Sequence, residues 1–109
     1  MTKTETAKRL LKRIFVTRDF YGRYDEYYEI DGKLDGEYKS WHRNGQLCFR
    51  CYYKDGQLDG EYKEWHDNGQ LGVRSLYKCG ERNGEYKYWN NHGELWNHWY
   101  YKDGVKIKA

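Results

Sequence analysis

Several features common in folded domains are scarce or missing in this chain of 109 residues. Proline is absent, so every residue keeps the backbone N–H that strand pairing requires. Leu, Ile, Val and Phe together number only 17, which is too few for the long apolar helices of a helical core. No apolar run approaches the roughly 20 residues that span a bilayer. These shortages argue against a helical bundle and against a membrane-spanning helix.

Cysteine is also scarce, with only Cys48, Cys51 and Cys79 in the chain. An odd number of cysteines indicates reduced thiols and an intracellular, cytoplasmic location. Cys48 and Cys51 are three residues apart in a predicted strand, so their side chains point to opposite faces and suit neither a zinc site nor a disulfide. The sequence therefore predicts no metal and no cofactor.

An excess of positive charge is confined to the N-terminal segment. The formal net charge is +3. Residues 1–18 carry six basic residues against one acidic residue, or +5, so the other 91 residues carry −2. The basic start has no apolar stretch of ~7–15 residues, so it does not read as a secretory signal. A basic arm on a near-neutral domain is therefore expected.

What the chain does have is aromatic residues and a repeat. The 13 tyrosines and 5 tryptophans supply apolar area that the few aliphatic residues do not. Three segments follow one pattern with a period of 24: GEYKSWHRNGQLCFRCYYKDG (36–56), GEYKEWHDNGQLGVRSLYKCG (60–80) and GEYKYWNNHGELWNHWYYKDG (84–104). A fixed period in this range marks a repeat array.

Each repeat predicts a strand, a turn and a second strand. Asn44-Gly45 and Asn68-Gly69 favour tight two-residue turns of type I′. The connector from Asp55-Gly56 to Asp59-Gly60 is too long for such a turn and predicts a wider turn with a bulge. The sequence thus predicts an all-β fold, an elongated antiparallel meander of stacked hairpins.

Period-2 alternation assigns residues to the two faces of the predicted sheet. Tyr38, Tyr62 and Tyr86 point away from the lysines that follow them. We expect Leu47, Leu71 and Leu95 on the tyrosine side, as the packed face. Strict alternation puts Trp41, Trp65 and Trp89 with the lysines, whereas a bulge before each tryptophan would move it to the tyrosine side. Both arrangements stay open.

The N-terminal segment carries the one predicted helix, a short cap over residues 4–15. Leu10, Leu11, Ile14 and Phe15 share a helical face, and a strand from Ile14 or a disordered tail is the alternative. The predicted organisation is a basic arm or capping helix (1–18) and a repeat domain (19–109), composed of a degenerate half-repeat (19–30), three repeats (31–54, 55–78, 79–102) and a C-terminal edge (103–109).

The repeat carries a family resemblance. The string YKDGQLDGEYKEWHDNGQL, which begins at Tyr53, resembles the variant MORN repeat with its frame Y-K-D-G-x-L-x-G-x-Y-x-x-[YW]-x-x-N-G-x-L. The resemblance implies a non-enzymatic platform for protein interaction. Similar repeats occur in bacterial proteins labelled as antitoxins of the YwqK type and in large DNA viruses, which for a virus implies host cytoplasm or virion. The chain departs from the frame at Cys79-Gly80-Glu81-Arg82 and at His92.

We therefore expect a non-enzymatic scaffold that binds another protein through an exposed aromatic and charged face or through an open sheet edge, which would also permit a homodimer. No catalytic residues are predicted. The alternatives are nucleic-acid or anionic-lipid binding by the arm residues Lys8, Arg9, Lys12 and Arg13, and an antitoxin-like role beside a toxin protein. The predicted partner-binding residues are Trp41, Trp65, Trp89, Arg50, Arg74 and His98.

Overall fold

In the part of the chain that the structure describes, eleven strands form one open antiparallel sheet. The computed structural model of the chain describes residues 11–17 and 24–107. The strands are β1 (Leu11–Thr17), β2 (Tyr24–Ile30), β3 (Lys33–Leu34), β4 (Gly36–Trp41), β5 (Leu47–Lys54), β6 (Gln57–Leu58), β7 (Gly60–Trp65), β8 (Leu71–Lys78), β9 (Glu81–Trp89), β10 (Leu95–Lys102) and β11 (Val105–Ile107). Their order is β1-β2-β4-β5-β7-β8-β9-β10-β11, with the short β3 and β6 paired to β2 and β5. The all-β meander predicted from the repeats is confirmed.

The pairing register repeats with the sequence period. Gly36 lies opposite Tyr53, Gly60 opposite Tyr77 and Gly84 opposite Tyr101. Each hairpin also pairs with its neighbour, as β5 does with β7 and β8 with β9. No helix long and apolar enough to cross a membrane occurs in the described residues.

The predicted helix over 4–15 is wrong from residue 11 onward, because Leu11–Thr17 forms β1. Residues 1–10, including Lys8 and Arg9, lie outside the described residues. The run Ile14-Phe15-Val16-Thr17 is β-branched or aromatic and favours a strand. Lys12 lies opposite Glu29 in β2, which is the register of Gly36 and Tyr53 shifted by 24 residues. Thus β1 and β2 form a hairpin of the repeat type whose first strand has lost the repeat's sequence. The alternative of a strand from Ile14 was right in kind, although the strand begins at Leu11.

The two kinds of turn are the reverse of the prediction. Asp55 and Gly56 have φ angles of 50° and 82°, and Lys54 pairs with Gln57, so this pair forms a two-residue hairpin turn with positive φ at both positions. At the tip near Asn44, only Gly45 has positive φ, at 87°. There the Gly45 N–H donates to the His42 carbonyl at 2.9 Å, so the tip is a longer loop.

The predicted bulge in the connector is present. After the Asp55-Gly56 turn, β5 pairs with β6 at Tyr53 and Leu58, and then with β7 at Arg50 and Lys63. The two registers differ, and the shift is absorbed beside Gly60, whose φ is 105°. A glycine is needed there because an L side chain rarely adopts this φ.

A second bulge, in each returning strand, settles the faces. Ser40 lies opposite Phe49 but Trp41 lies opposite Leu47, so Cys48 is the extra residue; Gly72 and Trp96 hold the same position. Directly opposite residues share a face. The expectation that Leu47, Leu71 and Leu95 accompany the tyrosines is therefore wrong, because the bulge moves each leucine to the other face. The tryptophans follow strict alternation and lie with the lysines.

Within the described residues, no second layer covers either face of the sheet. Among the side chains that the structure describes, Cys51 is the only fully buried apolar one, with 1% of its surface exposed. Most of the aromatic residues in the inner strands are half-buried. Stability in such a sheet comes from contacts between neighbouring strands, as in other repeat arrays. We call the side with Tyr38, Tyr62 and Tyr86 the tyrosine face and the side with Trp41, Trp65 and Trp89 the tryptophan face.

Candidate functional site

The tyrosine face carries a row of rings that crosses the strands. Tyr27 and Tyr38 stack with centroids 5.0 Å apart, and Tyr38 and Phe49 with centroids 5.5 Å apart. Phe49 and Tyr62 continue the row at 6.0 Å. Val73 replaces an aromatic residue on β8 and interrupts it. This row follows from the repeat, because the same position on each strand faces the same side.

A groove of about 460 Å³ lies where the row is interrupted. Its lining spans β5 to β9, which at ~4.8 Å between strands is roughly 14 Å. Five tyrosines line it: Tyr53, Tyr62, Tyr77, Tyr86 and Tyr88. Cys51 and Ser75, each 1% exposed, also contribute to the lining. We call this the tyrosine groove.

The groove has one acidic and one basic wall residue. The Tyr62 hydroxyl donates to Glu64 Oε1 at 2.5 Å. Arg82 stands where the two preceding repeats have Leu34 and Leu58. Its guanidinium lies 4.9 Å from the Tyr86 ring centroid, and its Nε donates to the Tyr77 hydroxyl at 3.3 Å. The departure from the repeat frame thus places a cation on the tyrosine face.

Two buried serines of this face differ in their hydrogen bonding. Ser40 donates to Asp25 Oδ1 at 2.6 Å, and Tyr38 donates to the other oxygen of the same carboxylate. Ser75 is equally buried, but its Oγ has no hydrogen-bond partner among the described residues. A buried hydroxyl without a partner is uncommon in folded proteins. The Ser75 hydroxyl is therefore an unpaired polar group buried in the lining of the tyrosine groove.

Burial changes the acid–base properties of the groove. It raises the pKa of Tyr53, Tyr62 and Tyr86 above the ordinary tyrosine value, and at Tyr62 the hydrogen bond to Glu64 adds to the effect. Burial also raises the pKa of Cys51 to about 12. A neutral thiol is a poor nucleophile. The groove therefore presents neutral hydroxyls and a neutral thiol at physiological pH.

The predicted partner-binding residues all lie on the tryptophan face. Trp41 stacks on Tyr24 at 4.9 Å. Trp65 lines a shallow depression with Leu47 and Gln46. Trp89 lies opposite Leu95. The three tryptophans are half-buried and each lies in a different repeat, so they form a row and not a cluster.

The predicted arginines of this face form ion pairs, and the predicted histidine contacts a carboxylate. Arg74 contacts Glu61 at 3.0 Å and Glu85 at 3.2 Å. His98 Nε2 lies 2.8 Å from Glu85 Oε2, and Arg50 lies 3.3 Å from Glu37. Such pairs at a half-exposed surface contribute little to stability.

These pairs also lower the pKa of two carboxyl groups. Partial burial of Glu61 opposes ionisation, but hydrogen bonds and charge from Lys63 and Arg74 hold its pKa below the ordinary value. The hydrogen bond from His98 lowers the pKa of Glu85. The cations of the tryptophan face are therefore matched by carboxylates within the chain.

Two histidines join neighbouring repeats. His42 Nε2 donates to the Trp65 carbonyl at 2.9 Å, and His66 Nε2 donates to the Trp89 carbonyl at 2.8 Å. In the third repeat Asn90 takes the position and bonds within its own loop, to Glu94. The histidines thus connect hairpin tips.

Several predicted candidates remain separate from any site. The described parts of the chain contain no group of three or more His, Cys, Asp and Glu that could hold a metal ion. Lys12 and Arg13 lie in β1, at the sheet edge. The sequence could have suggested the groove only through Val73 and Arg82, where the aromatic and leucine positions of the repeat change.

Comparison with known proteins supports the repeat assignment. The model of the MORN repeat variant matches residues 34–55 and 58–78. The third repeat is not part of the match, in keeping with its departures at Cys79-Gly80-Glu81-Arg82 and His92. No curated protein matches the chain.

Proposed function

Because the chain is a MORN-repeat protein, we propose that it is a non-catalytic module that binds a segment of another protein in the tyrosine groove. MORN repeats are in general interaction repeats for proteins or membranes, and the family is non-enzymatic. The observation that carries the proposal is the groove itself, with half-buried tyrosines in its walls and the unpaired Ser75 hydroxyl in its lining.

The lining suits a polypeptide segment. Tyrosine rings bury apolar side chains while their hydroxyls pair with backbone groups, which is why tyrosine is enriched in interfaces. Glu64 and Arg82 offer one acidic and one basic contact at different positions. The groove's length of roughly 14 Å corresponds to about four residues of an extended chain. An apolar segment with polar ends therefore matches it.

The experiment compares capture of binding proteins from the native host by two matched variants. Tyr77→Ala removes a ring from the groove, and Tyr52→Ala removes a tyrosine from the tryptophan face. Truncating an aromatic anchor costs more than about 1 kcal/mol, which is a loss of affinity of roughly fivefold or more. We expect Tyr77→Ala, but not Tyr52→Ala, to lose the captured protein while both keep the wild-type circular dichroism.

The predicted tryptophan-face residues remain a second proposed contact surface. If Tyr52→Ala or Trp65→Ala loses the partner and Tyr77→Ala retains it, the groove assignment is wrong and the tryptophan face is the site. The nucleic-acid, anionic-lipid and antitoxin-like alternatives also stay predictions. Salt-sensitive binding to DNA or to anionic vesicles at ~50 mM salt, where charge attraction is strong, would favour the first two.

A further inference from the structure

We propose that copies of this chain bind one another head to tail, with the outer side of β10 in one copy pairing with β1 of the next. The inference is independent of the tyrosine groove and concerns the two edges of the sheet. Every inner returning strand pairs with the first strand of the following hairpin, and the described sheet leaves one strand of each kind without such a partner.

The unpaired strands lie at opposite ends of the strand order. β2, β5 and β8 pair on their far side with β4, β7 and β9. β10 is the equivalent returning strand, but β11 pairs only with its last three residues, Tyr100–Lys102. β1 is a first strand, and the described residues place no strand on its outer side. The outer backbone groups of β1 can therefore pair with the outer backbone groups of β10 that have no partner strand.

The repeat gives the register of the proposed contact. Phe49 lies opposite Glu64 in the β5–β7 pair, and Val73 lies opposite Tyr88 in the β8–β9 pair. The second pair is the first pair with 24 residues added to each number. The residue 24 positions after Val73 is Asn97, and the residue that holds the position of Tyr88 on β1 is Val16, three periods earlier. The repeat therefore places Asn97 of one copy opposite Val16 of the next. Tyrosine face then continues onto tyrosine face across the junction.

Apolar exposure is concentrated at this edge. Of the six large hydrophobic side chains that are exposed in the described residues, all but Tyr24 lie on β10 or β11. Leu95 is 49% exposed and Trp96 is 64% exposed, whereas the equivalent Leu71 is half-buried and Gly72 is buried. In the inner repeats a following hairpin covers these positions. Among residues 11–17 and 24–107 no hairpin covers these positions of β10, and β1 of a second copy would supply such a strand.

The lysine of the last strand does not protect the edge in the way that edge lysines usually do. Lys106 Nζ lies 4.0 Å from the Trp99 ring centroid, on the tyrosine face. Its charge is used in a cation–π contact. The outer backbone of Leu95–Trp99 remains open to pairing within the described part of the chain.

The contact is heterologous, because it joins two different edges. Repetition of such a contact gives a ring if the rotation closes and an open filament if it does not. We therefore expect sedimentation velocity to show a shift from monomer toward larger species as the protein concentration rises. A single monomer species at all concentrations would contradict the proposal.

Register-specific cross-linking tests the contact directly. The array supplies a cysteine-free background through its own equivalent residues, as Cys48→Gly, Cys51→Ser and Cys79→Asp. In this background Asn97→Cys and Val16→Cys are made in separate full-length chains. Within one chain these positions are seven strand spacings apart, roughly 34 Å, so a disulfide between them must join two copies.

We expect the mixture of Asn97→Cys and Val16→Cys chains to form disulfide-linked dimers on mild oxidation. Each variant alone should form few disulfide-linked dimers, because the head-to-tail contact does not bring two copies of the same cysteine together. Arg13→Cys mixed with Asn97→Cys is the off-register control and should give far less dimer. Dimers from Asn97→Cys alone at the level of the mixture would overturn the head-to-tail arrangement in favour of a symmetric one. No dimer above the off-register control would overturn the contact altogether.

Discussion

Two buried serines on the tyrosine face provide a matched test of the packing. Ser40 is 0% exposed and Ser75 is 1% exposed. Ser40 lies opposite Asp25 and Phe49, and Ser75 lies opposite Tyr62 and Tyr86. Ser40 donates to a carboxylate oxygen of Asp25, whereas the Ser75 hydroxyl has no partner in the described residues. The same substitution, serine to alanine, should therefore change stability in opposite directions at the two positions.

The magnitudes follow from the hydrogen bonds. Ser40→Ala removes a bond to a charged acceptor and leaves Asp25 less well satisfied, which costs about 1.5–3 kcal/mol. Ser75→Ala removes a buried hydroxyl that makes no bond. The desolvation penalty of such a group is about 1–3 kcal/mol, and the lost packing of one oxygen offsets part of it. We expect Ser75→Ala to stabilise the free protein by about 1 kcal/mol.

Urea unfolding followed by tryptophan fluorescence measures both changes, as the shift in midpoint at constant slope. The two variants should lie on opposite sides of the wild type. If both destabilise by similar amounts, the serine hydroxyls act through packing alone and the Ser75 hydroxyl is not an unpaired group. In that case it would give no support to a ligand in the tyrosine groove.

Three further outcomes follow from the geometry. His66→Ala should destabilise by about 1 kcal/mol through loss of its bond to the Trp89 carbonyl. Gly72→Ala should disrupt the same bond, because the new Cβ would come within 2.8 Å of His66 Nε2. The destabilisation by the two changes should therefore be non-additive in a double-mutant cycle, and additive effects would show that His66 does not join the repeats. Burial should make Tyr53, Tyr62 and Tyr86 ionise above the ordinary tyrosine pKa of 10.0 in a spectrophotometric titration. Tyr62→Phe should remove one of these high-pH transitions, and a single transition near the ordinary value would contradict the burial of the three side chains. The lowered pKa of Glu61 stabilises the fold above its ordinary pKa of 4.5, and this stability is lost as the pH falls through the lowered folded-state value; Glu61→Gln should therefore weaken the acid dependence of unfolding, and an unchanged dependence would show that its ion pairs contribute nothing.

The sequence predicted the hairpin repeat and the tyrosine face, because both depend on regular spacing. Tyr38, Tyr62 and Tyr86 recur every 24 residues on strands that alternate with period 2. The leucine face could not be predicted, since the bulge that moves Leu47 falls on a cysteine, a glycine and a tryptophan in the three repeats, which share no local signal. The tight and the longer turns were assigned to the wrong positions, because Asn-Gly and Asp-Gly both favour positive φ. Only the pairing of the strands decides which of these two dipeptides forms the two-residue hairpin turn.

The groove could be predicted least. It depends on the relative positions of four strands and on what Val73 leaves open beside Phe49 and Tyr62. β1 was also hidden, because Leu11–Thr17 shares none of the repeat's residues, and its place in the sheet comes from pairing with β2. The unpaired Ser75 hydroxyl could not be predicted either, because it depends on how the sheet packs. The equivalent residue of the preceding repeat, Cys51, is neutral and apolar in character and gives no sign of an unpaired polar group at this position.

Fluorine NMR of the protein labelled with 3-fluorotyrosine tests the proposed binding site most directly. Resonances of Tyr53, Tyr62, Tyr77 and Tyr86 are assigned by single Tyr→Phe changes, and the captured partner is then added. Occupation of the tyrosine groove should shift these four signals and leave Tyr28 and Tyr52, on the tryptophan face, unchanged. Shifts confined to Tyr28 and Tyr52, with the four groove signals unmoved, would contradict the account.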